Sequence, residues 1–400
     1  MRILVLTSIY PSPDDEKSSG LTPVVHYFAR EWVKLGHEVL VINNKNKYPF
    51  LFYMVSKKIK DMIASKYSLV IPNIKQRKEM KYNLDGVKVF RIPILKMMPW
   101  GGFFSSQLKA QYKKIKAILD QENFKPDIVI GHWENPQIPL LAMFKKEYLL
   151  KTVIVFHGVV YIKKYNSWKT KYIPYIDIFG YRSNTIRKTV ESILGAEKKG
   201  FICYSGVPDS FVDDISINEN RFTNGKLTKY IYVGRLIERK NVDTIILALS
   251  QLENDKMLKI VGAGEEEEYL KKLCQDKNMA HRVNFMGRQK REDVIKLMQM
   301  SECFIMVSKN ETFGLVYLEA MLQGCIVVAS KNEGIDGIII HGENGFLCNA
   351  GDVNELTKTL KYIDSLTGPE KKRISENAIK TALQFTDSKV ADYYLRQIIQ

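Results

Sequence analysis

Short apolar runs alternate with longer amphipathic stretches along nearly the whole chain, and this alternation restricts the fold more than any other feature. The first half contains strand-like runs such as ILVLTSIY (3–10), EVLVIN (38–43) and DIVIGH (127–132), and residues 105–121 have the periodicity of a helix. Regular alternation of strands and helices predicts parallel sheets joined by right-handed crossovers. The chain is therefore expected to be an α/β protein.

The second half repeats the same alternation. Its predicted strands are KYIYVG (229–234), KMLKIVG (256–262), VNFMG (283–287), CFIMVS (303–308) and CIVVAS (325–330), and its predicted helices are 241–252, 265–277, 291–300 and 313–323. The chain has 400 residues, and a single core stops growing at roughly 250–300 residues. We therefore predict two Rossmann-like sheets joined near the polar stretch 205–228, with ligands bound in the cleft between them.

The five cysteines, an odd number without a CxxC pair, indicate free thiols in a reducing cytoplasm. No group of His, Asp and Glu residues has the spacing of metal ligands. No apolar run reaches the length of about 18 residues that would span a membrane. The start of the chain is typical of a buried first strand and not of a secretory signal.

The positive charge of the chain is concentrated in its first half. Residues 1–200 hold 34 Lys and Arg against 16 Asp and Glu, whereas residues 201–400 hold 26 against 28. A one-sided basic domain indicates an anionic partner, such as phospholipid headgroups, nucleic acid or a phosphorylated acceptor. A solvated lysine-rich surface is the alternative interpretation.

The strongest candidate site is ETFGLVYLEAMLQG (311–324), where a predicted helix begins near Gly314. The first-turn amides of Gly314, Leu315 and Val316 lack partners within the helix and, with the helix dipole, form an anion site. Glu319 lies one turn further along the same face, where its carboxylate can accept hydrogen bonds from both ribose hydroxyls of a nucleotide. Glu311 precedes the helix and would lie near the group beyond the phosphates. A buried helix with two incidental glutamates is the alternative.

Three further segments carry candidate groups. In YVGRLIERKN (232–241), Arg235 and Lys240 follow a strand and suit a diphosphate, although a solvated basic loop fits the same pattern. The Gly-Ala-Gly after the next strand (262–264) is a weak nucleotide signal, assigned at most to the base or ribose. In the first half, Gly20 lies in a small loop that can close over a diphosphate, and His157 follows a strand and can face a cleft, although a lone histidine is more often structural.

Several common signatures are absent from the sequence. There is no DxD motif, no GxSxG, no P-loop and no GxGxxG. These absences disfavour four classes of protein: a single-domain glycosyltransferase that holds its diphosphate through a metal ion, a serine hydrolase, a P-loop nucleotidase and a dehydrogenase.

Five features of the second half together resemble family 4 of the glycosyltransferases. They are GRLIERKN, GAGEEEEYLKKL, VNFMGR, the two glutamates of NETFGLVYLEAMLQG, and ENGFL. RILVLTSIYPS, GHEVLVI, KPDIVIGHWENP, VFHG and SGVPDSF fit the same family in the first half, so the resemblance covers essentially the whole chain. It implies the GT-B fold, in which two Rossmann-like domains with parallel sheets face each other across a cleft.

On this resemblance we expect an N-terminal acceptor domain (1–205), a linker (206–228), a C-terminal nucleotide-sugar domain (229–375) and a C-terminal helix (376–400) that returns to the first domain. The resemblance also implies retention of anomeric configuration without a metal ion, usually written as front-face attack in which the leaving phosphate oxygen accepts the acceptor's proton.

The resemblance implies a role for each candidate residue. Glu319 would bind the donor ribose, and His157 and Glu311 would act at the transferred sugar as catalytic residues. The remaining residues would hold the diphosphate: Gly20, Arg235, Lys240 and the amides of Gly314, Leu315 and Val316.

The expected donor is a UDP-sugar, and the expected acceptor is a lipid-linked glycan in bacterial O-antigen, capsule or exopolysaccharide synthesis. Two other classes stay open. One is a sugar-nucleotide epimerase or phosphorylase with a similar fold. The other is a basic nucleic-acid-binding protein, for which no helix-turn-helix, RRM or zinc-finger signature is present. We therefore expect no nucleic acid partner.

Aromatic residues beside lysines in the first half predict docking on an anionic membrane, and hence a cytoplasmic protein peripheral to the inner face of the cytoplasmic membrane. These residues are Phe50, Phe52, Tyr53 and Met54 beside Lys57, Lys58 and Lys60, then Trp100, Phe103 and Phe104, and finally the segment YIKKYNSWKTKYIPY (161–175). The alternative is that these aromatic residues belong to the core or line a groove for a soluble sugar.

Overall fold

The computed structural model describes residues 1–14, 23–56, 59, 60, 62, 63, 71–99, 101–164, 166–195, 199–213, 215, 221–223 and 225–399. The chain divides into two compact units. Unit 1 comprises Met1–Arg182, Ile186–Cys203 and Ala391–Gln400, and unit 2 comprises Ser183–Thr185 and Tyr204–Val390.

Unit 1 is built on a mostly parallel sheet that has eight strands over the described residues. In chain order the strands of this unit are β1 (Arg2–Thr7), β2 (Glu38–Asn43), β3 (Asn46–Lys47), β4 (Met80–Leu84), β5 (Val87–Arg91), β6 (Ile94–Leu95), β7 (Ile128–His132), β8 (Lys151–Phe156), β9 (Ile178–Tyr181) and β10 (Gly200–Ile202). The sheet order is β10-β9-β8-β7-β1-β2-β5-β4, and β3 pairs with β6 separately. The edge strand β4 runs antiparallel to β5. The strand order reverses between β1 and β7, where sheets of this kind bind ligands at their carboxyl ends.

The helices of unit 1 connect these strands and cover the sheet. They are α1 (Val24–Lys34), α2 (Phe50–Met54), α3 (Ser105–Gln121), α4 (Gln137–Tyr148), α5 (Val160–Lys164), α6 (Trp168–Lys171) and α7 (Asn184–Leu194). Helix α1 shows why they form: Val25, Phe28 and Trp32 recur at helical spacing, and each is at most 2% exposed. Burying each such side chain stabilises the unit by about 1.5–3 kcal/mol. The chain leaves this helix through Gly36, which has a φ of 83°.

Unit 2 is built on a sheet that, over the described residues, has six strands, all parallel. They are β11 (Lys229–Val233), β12 (Met257–Val261), β13 (Val283–Gly287), β14 (Cys303–Met306), β15 (Ile326–Ser330) and β16 (Phe346–Cys348), in the order β13-β12-β11-β14-β15-β16. The order reverses between β11 and β14, so the loops that follow these two strands lie at the favoured ligand position of this sheet.

The remaining helices follow in chain order. They are α8 (Ser210–Asp213), α9 (Val242–Ser250), α10 (Glu267–Asp276), α11 (Arg291–Gln299), α12 (Leu315–Leu322), α13 (Val353–Ser365), α14 (Gly368–Ala382) and α15 (Asp387–Ile399). The central strands of both sheets are mostly apolar because helices cover both faces. Residues Ile326–Ala329 of β15, for example, are 0% exposed.

The expectation of a single helix over 376–400 is wrong. Helix α14 ends at Ala382, and the next residues pair with Val207, whose N–H donates to Phe385 O at 2.9 Å and whose carbonyl accepts from Asp387 N at 2.8 Å. Gly206 permits this approach, because a Cβ there would lie 2.5 Å from Asp387 N. Helix α15 then begins, and its residues from Ala391 onward belong to unit 1.

Helix α15 is held to the rest of unit 1 by hydrogen bonds and ring contacts. The indole Nε1 of Trp32 donates to the carbonyl of Ala391 at 3.1 Å. Lys151 Nζ, at the start of β8, donates to the carbonyl of Ile398 at 3.2 Å. Tyr394 is 1% exposed and packs edge-on against Phe28, with ring centroids 5.2 Å apart. The last turns of the chain are therefore part of the core of unit 1.

Four strands, β3, β4, β9 and β16, were not predicted from the sequence. The edge strand β4 alternates partly exposed and exposed residues, and β9 and β16 have only four and three residues. Such segments lack the continuous apolar run that identifies a central parallel strand. All five cysteines are buried and unpaired, as the sequence predicts.

Candidate functional site

The N-terminus of α12 lies just after β14, at the reversal of strand order in unit 2. Gly314 is the N-cap residue and has a φ of 80°. A Cβ at this position would lie 2.5 Å from Cε2 of Tyr317. Tyr317 is fully buried and donates from its hydroxyl to the carbonyl of Met306 at 2.7 Å. Glycine is therefore required here both by the backbone conformation and by the tyrosine ring packed beneath it.

The first turn of α12 presents backbone amides toward the same point. No side chain caps Gly314, and the first amides of a helix have no partner within it. Gly314, Leu315 and Val316 are each partly exposed. The preceding loop is held by Glu333, whose carboxylate accepts from the N–H of Asn310 at 2.9 Å and of Glu311 at 2.6 Å. The helix terminus is thus a preformed position for an anion.

Glu311 and Lys240, two of the predicted site residues, form an ion pair beside this terminus. Lys240 Nζ lies 2.5 Å from Glu311 Oε2, and Arg239 Nη1 lies 3.5 Å from the same oxygen. The side chains of Lys240 and Glu311 are 11% and 12% exposed. Burial lowers the pKa of Lys240 below its usual range, while the Glu311 carboxylate opposes that shift. The structure therefore places a cation on the loop after β11 against a carboxylate on the loop after β14.

Glu319 pairs with Arg291, a residue that the sequence did not single out. The Arg291 Nη2 donates to Glu319 Oε1, and the guanidinium lies over the ring of Phe211 at 4.6 Å from the centroid. The Glu319 side chain is 12% exposed, and that of Arg291 is 37% exposed. Arg291 begins α11, 28 positions before Glu319, so no local spacing could have linked the two residues.

The loop from Gly234 to Leu236 is held against the Gly-Ala-Gly segment. A Cβ at Gly262 would lie 1.8 Å from Gly234 O, and one at Gly264 would lie 2.0 Å from Leu236 O. The Leu236 N–H donates to the carbonyl of Ala263 at 3.2 Å. These glycines therefore have a structural role: they let two backbones meet and so fix the loop that carries Arg235, whose own side chain is exposed.

His157 lies in unit 1, in the loop after β8. His157 is partly exposed, and its imidazole stacks on the ring of Trp133, with the ring centroids 4.0 Å apart and an angle of 16° between the ring planes. His132, the last residue of β7, places Nδ1 3.1 Å from His157 Nε2. Packing that removes the imidazole from water, together with the positive charge of Arg182, holds the pKa of His157 well below its usual range. His157 is therefore neutral near pH 7.

The second predicted residue of the first half, Gly20, lies outside the described residues. His132 and Trp133 were missed, although both stand in the segment GHWENP that carries part of the family resemblance. Within the described part of the chain, no group of three or more His, Cys, Asp and Glu side chains is arranged to hold a metal ion.

The aromatic and basic segments of unit 1 divide into exposed and buried parts. Phe50 and Met54 are 56% and 71% exposed, and Phe104 is 65% exposed. Trp168, by contrast, is 8% exposed and belongs to the core of unit 1, so this part of the 161–175 segment follows the alternative interpretation. Lys57, Lys58 and Trp100 lie outside the described residues. No helix among the residues described combines the length and apolar character needed to cross a bilayer.

Two parallel-sheet units, one of them with a helix terminus flanked by Glu311, Lys240 and Glu319, define a glycosyltransferase of the GT-B class. Comparison with known proteins agrees. Residues 213–381 match the family described as "Glycosyl transferases group 1", and residues 18–210 match "Glycosyltransferase Family 4". The chain belongs to the family 4 glycosyltransferases.

Relatives and solved structures support the same assignment. An uncharacterized glycosyltransferase of Methanocaldococcus jannaschii is 25% identical over 285 residues, which cover 70% of this chain and 77% of that protein. The lipopolysaccharide core biosynthesis glycosyltransferase LpsE of Rhizobium meliloti is 32% identical over 165 residues, which cover 41% of this chain and 47% of that protein. The structure of Anabaena HepE in complex with UDP has a TM-score of 0.69 at 17% identity and covers both chains completely. These matches favour a glycosyltransferase over an epimerase, a phosphorylase or a nucleic-acid-binding protein.

Proposed function

We propose that this glycosyltransferase moves a sugar from a UDP-sugar to a glycan acceptor, with retention of anomeric configuration and without a metal ion. The observation that carries the donor assignment is the grouping of Glu311, Lys240 and Glu319 around the uncapped first turn of α12. This grouping supplies positive charge and N–H donors for a diphosphate, and two carboxylates for hydroxyl groups.

The diphosphate is proposed to bind at the first turn of α12. The helix dipole and the amides of Gly314, Leu315 and Val316 attract an anion, and Arg235 and Lys240 add charge from the loop after β11. Lys240 is paired with Glu311 in the structure. A diphosphate that takes over this cation would release the Glu311 carboxylate to accept a hydrogen bond from a hydroxyl of the transferred sugar.

The ribose is proposed to bind Glu319. A carboxylate can accept from two neighbouring hydroxyls, and Glu319 lies one turn beyond the amides. Its partner, Arg291, is more exposed than Glu319 itself, and we propose that ribose hydroxyls share the carboxylate with the guanidinium or replace it there. His157 is proposed to contact the transferred sugar, and the leaving phosphate oxygen to accept the acceptor's proton.

The choice of UDP and of a surface glycan rests on similar proteins. HepE was crystallised with UDP, and LpsE is a lipopolysaccharide core biosynthesis enzyme. We therefore propose a UDP-sugar donor and an acceptor in bacterial surface polysaccharide synthesis, such as O-antigen, capsule or exopolysaccharide, with the acceptor carried on a lipid.

Titration calorimetry with UDP tests the donor site. Removing one charge-assisted partner costs roughly 1.5–3 kcal/mol, or about 10- to 150-fold in affinity. Glu319→Ala is therefore expected to bind UDP at least tenfold more weakly than the wild type. The matched control is Glu253→Ala, which removes an exposed carboxylate of unit 2 that pairs with Lys226. Equal UDP affinity in the Glu319 variant and the control would contradict the assignment.

Chelation tests the proposal that no metal is needed. Because amides and two cations take the place of a bound metal ion, sugar transfer is expected to survive EDTA. Loss of transfer that manganese or magnesium restores would show that a metal holds the diphosphate.

Docking of unit 1 on an anionic membrane is the second part of the proposal. In α2, Phe50 is 56% exposed, Leu51 is 76% exposed and Met54 is 71% exposed. The guanidinium of Arg77 lies 5.8 Å from the ring centroid of Phe50, so apolar and basic groups share one surface. Such a surface suits the boundary between headgroups and acyl chains. Docking would give access to a lipid-linked acceptor.

Co-sedimentation with phosphatidylglycerol vesicles tests the docking. Each apolar side chain that inserts contributes about 1.5 kcal/mol or more, so Leu51→Ser with Met54→Ser is expected to weaken binding by roughly 100-fold. The control is Met300→Ser with Tyr362→Ser, which changes two exposed apolar residues of unit 2. Wild-type protein that stays in the supernatant at low salt would rule out docking.

A further inference from the structure

Three residues that are far apart in the chain form a line of hydrogen-bonding groups in unit 1. The Tyr394 hydroxyl of α15 lies 3.4 Å from His132 Nε2. His132 Nδ1 lies 3.1 Å from His157 Nε2. Tyr394 and His132 are 1% and 0% exposed, whereas His157 is partly exposed. The line therefore runs from the core of unit 1 to a histidine at its surface.

Burial leaves both imidazoles neutral. It lowers the pKa of His132 to about 3 and holds the pKa of His157 well below its usual range, and the charge of Arg182 adds to both effects. A neutral imidazole has one N–H donor and one acceptor nitrogen. Each histidine in the line therefore receives a hydrogen bond on one nitrogen and donates from the other, and the direction of the line fixes which nitrogen carries the proton.

The burial of the Tyr394 hydroxyl sets that direction, and the charge of Arg182 is consistent with it. Arg182 is 3% exposed, its guanidinium donates to the carbonyl of Cys203 at 2.6 Å, and its charge acts on Tyr394, His132 and His157. A guanidinium stays protonated in proteins. The Tyr394 hydroxyl is buried and, among the described residues, has His132 Nε2 as its hydrogen-bond partner, so its proton would lack an acceptor in the core if the hydroxyl only accepted. The Tyr394 O–H accordingly donates to His132 Nε2, the His132 Nδ1–H donates to His157 Nε2, and the single proton of His157 is on Nδ1.

We propose that Tyr394 and His132 are positioning residues that hold His157 as the neutral Nδ1–H tautomer, so that His157 donates a hydrogen bond to a hydroxyl oxygen of the transferred sugar and does not act there as a base. Among the described residues, His157 Nδ1 has no hydrogen-bond partner, and the stacked Trp133 ring holds the plane of the imidazole. The inference deepens the proposed function, because it rests on the contact of His157 with the sugar.

Nitrogen-15 NMR of histidine-labelled protein tests the tautomer without any substrate. Two-bond nitrogen–proton couplings are expected to show His157 protonated on Nδ1 in the wild type. Tyr394→Phe removes the proton that directs the line but keeps the ring packed against Phe28, Trp32 and Phe201. This variant is expected to populate the Nε2–H tautomer of His157. A wild-type His157 protonated on Nε2, or a tautomer that does not change in Tyr394→Phe, overturns the relay.

Kinetics with a matched pair of variants tests the consequence for sugar transfer. His132→Leu removes the donor to His157, whereas the side-chain amide of His132→Asn can replace the Nδ1–H. His132→Leu is expected to lower kcat/KM for transfer about tenfold, as the loss of one hydrogen bond does, and His132→Asn to recover most of it. Affinity for UDP, which lacks the transferred sugar, is expected to be unchanged in both.

Failure of the positioning role and failure of the proposed function would give different results. If His132→Leu transfers sugar as fast as the wild type, the positioning role is wrong although the donor site stands. If the wild type neither binds UDP nor transfers sugar from UDP-sugars, the proposed function is wrong, and the NMR measurement still decides the tautomer of His157.

Discussion

Replacing Gly314 by alanine puts the structural account of the donor site to its most direct test. Two costs add at this position. A residue with a side chain at a φ of 80° pays about 1–2 kcal/mol for the left-handed conformation. The new Cβ would also lie 2.5 Å from the Tyr317 ring, and overpacking of a well-packed core costs about 1–3 kcal/mol.

Together these costs predict that Gly314→Ala lowers the free energy of unfolding of unit 2 by about 2–5 kcal/mol. Gly342→Ala is the matched control, because Gly342 also belongs to unit 2 and has a φ of 82°, yet nothing lies within 4 Å of its added Cβ. The control should show only the conformational cost of about 1–2 kcal/mol. The difference between the two variants isolates the contact with Tyr317.

Urea unfolding followed by far-ultraviolet circular dichroism measures the effect. Tryptophan fluorescence would miss it, because the four tryptophans, at positions 32, 100, 133 and 168, all precede unit 2. Hydrogen exchange in α12 localises the loss, and titration with UDP should show weaker binding, because the first-turn amides move with the glycine. If Gly314→Ala is no less stable than Gly342→Ala and its α12 amides exchange no faster, the Tyr317 ring does not require a glycine at position 314.

Three further predictions concern buried partners. Lys240→Met is expected to cost about 3 kcal/mol of stability by leaving Glu311 buried without its main partner. Adding Glu311→Gln to this variant should restore stability in urea unfolding but should not restore UDP binding in calorimetry. Burial raises the pKa of Glu134 to about 7. The folded chain therefore binds more protons than the unfolded chain between the ordinary pKa near 4.3 and about 7, and stability falls as pH rises through that window. Thermal unfolding at pH 5 and pH 7 should show a smaller fall in Glu134→Gln. Trp32→Phe should cost about 1 kcal/mol by removing the donor to Ala391, and faster hydrogen exchange in α15 would report it; unchanged exchange would contradict that contact.

Much of the fold follows from local sequence pattern. The predicted helix 105–121 matches α3, and the apolar runs of the second half match β11 to β15 within three residues at each end. Periodicity and apolar run length act over a few residues and so are visible without tertiary structure. The break between α14 and α15 was not predicted, because it arises from pairing with Val207, about 180 positions earlier in the chain.

For the site, the sequence supplied the residue types and the local geometry. The glycine that opens α12, the spacing of Glu311 and Glu319, and the position of Lys240 after a strand are properties of short segments. Their roles toward a donor stay predictions, but the ion pair between Lys240 and Glu311 brings together two residues that the motifs had named separately.

The sequence by itself determined the parallel α/β units, the glycine at the helix terminus and the family to which the chain belongs, because each of these depends on short segments of contiguous residues. Only the tertiary structure decided that Arg291 pairs with Glu319, that His132 contacts His157 and that Tyr394 contacts His132. His132 and Tyr394 are 262 positions apart. Their meeting depends on strand order in the sheet of unit 1 and on the packing of α15 against Trp32 and Phe28, and a pairing of this kind is set by the whole core and not by any local pattern.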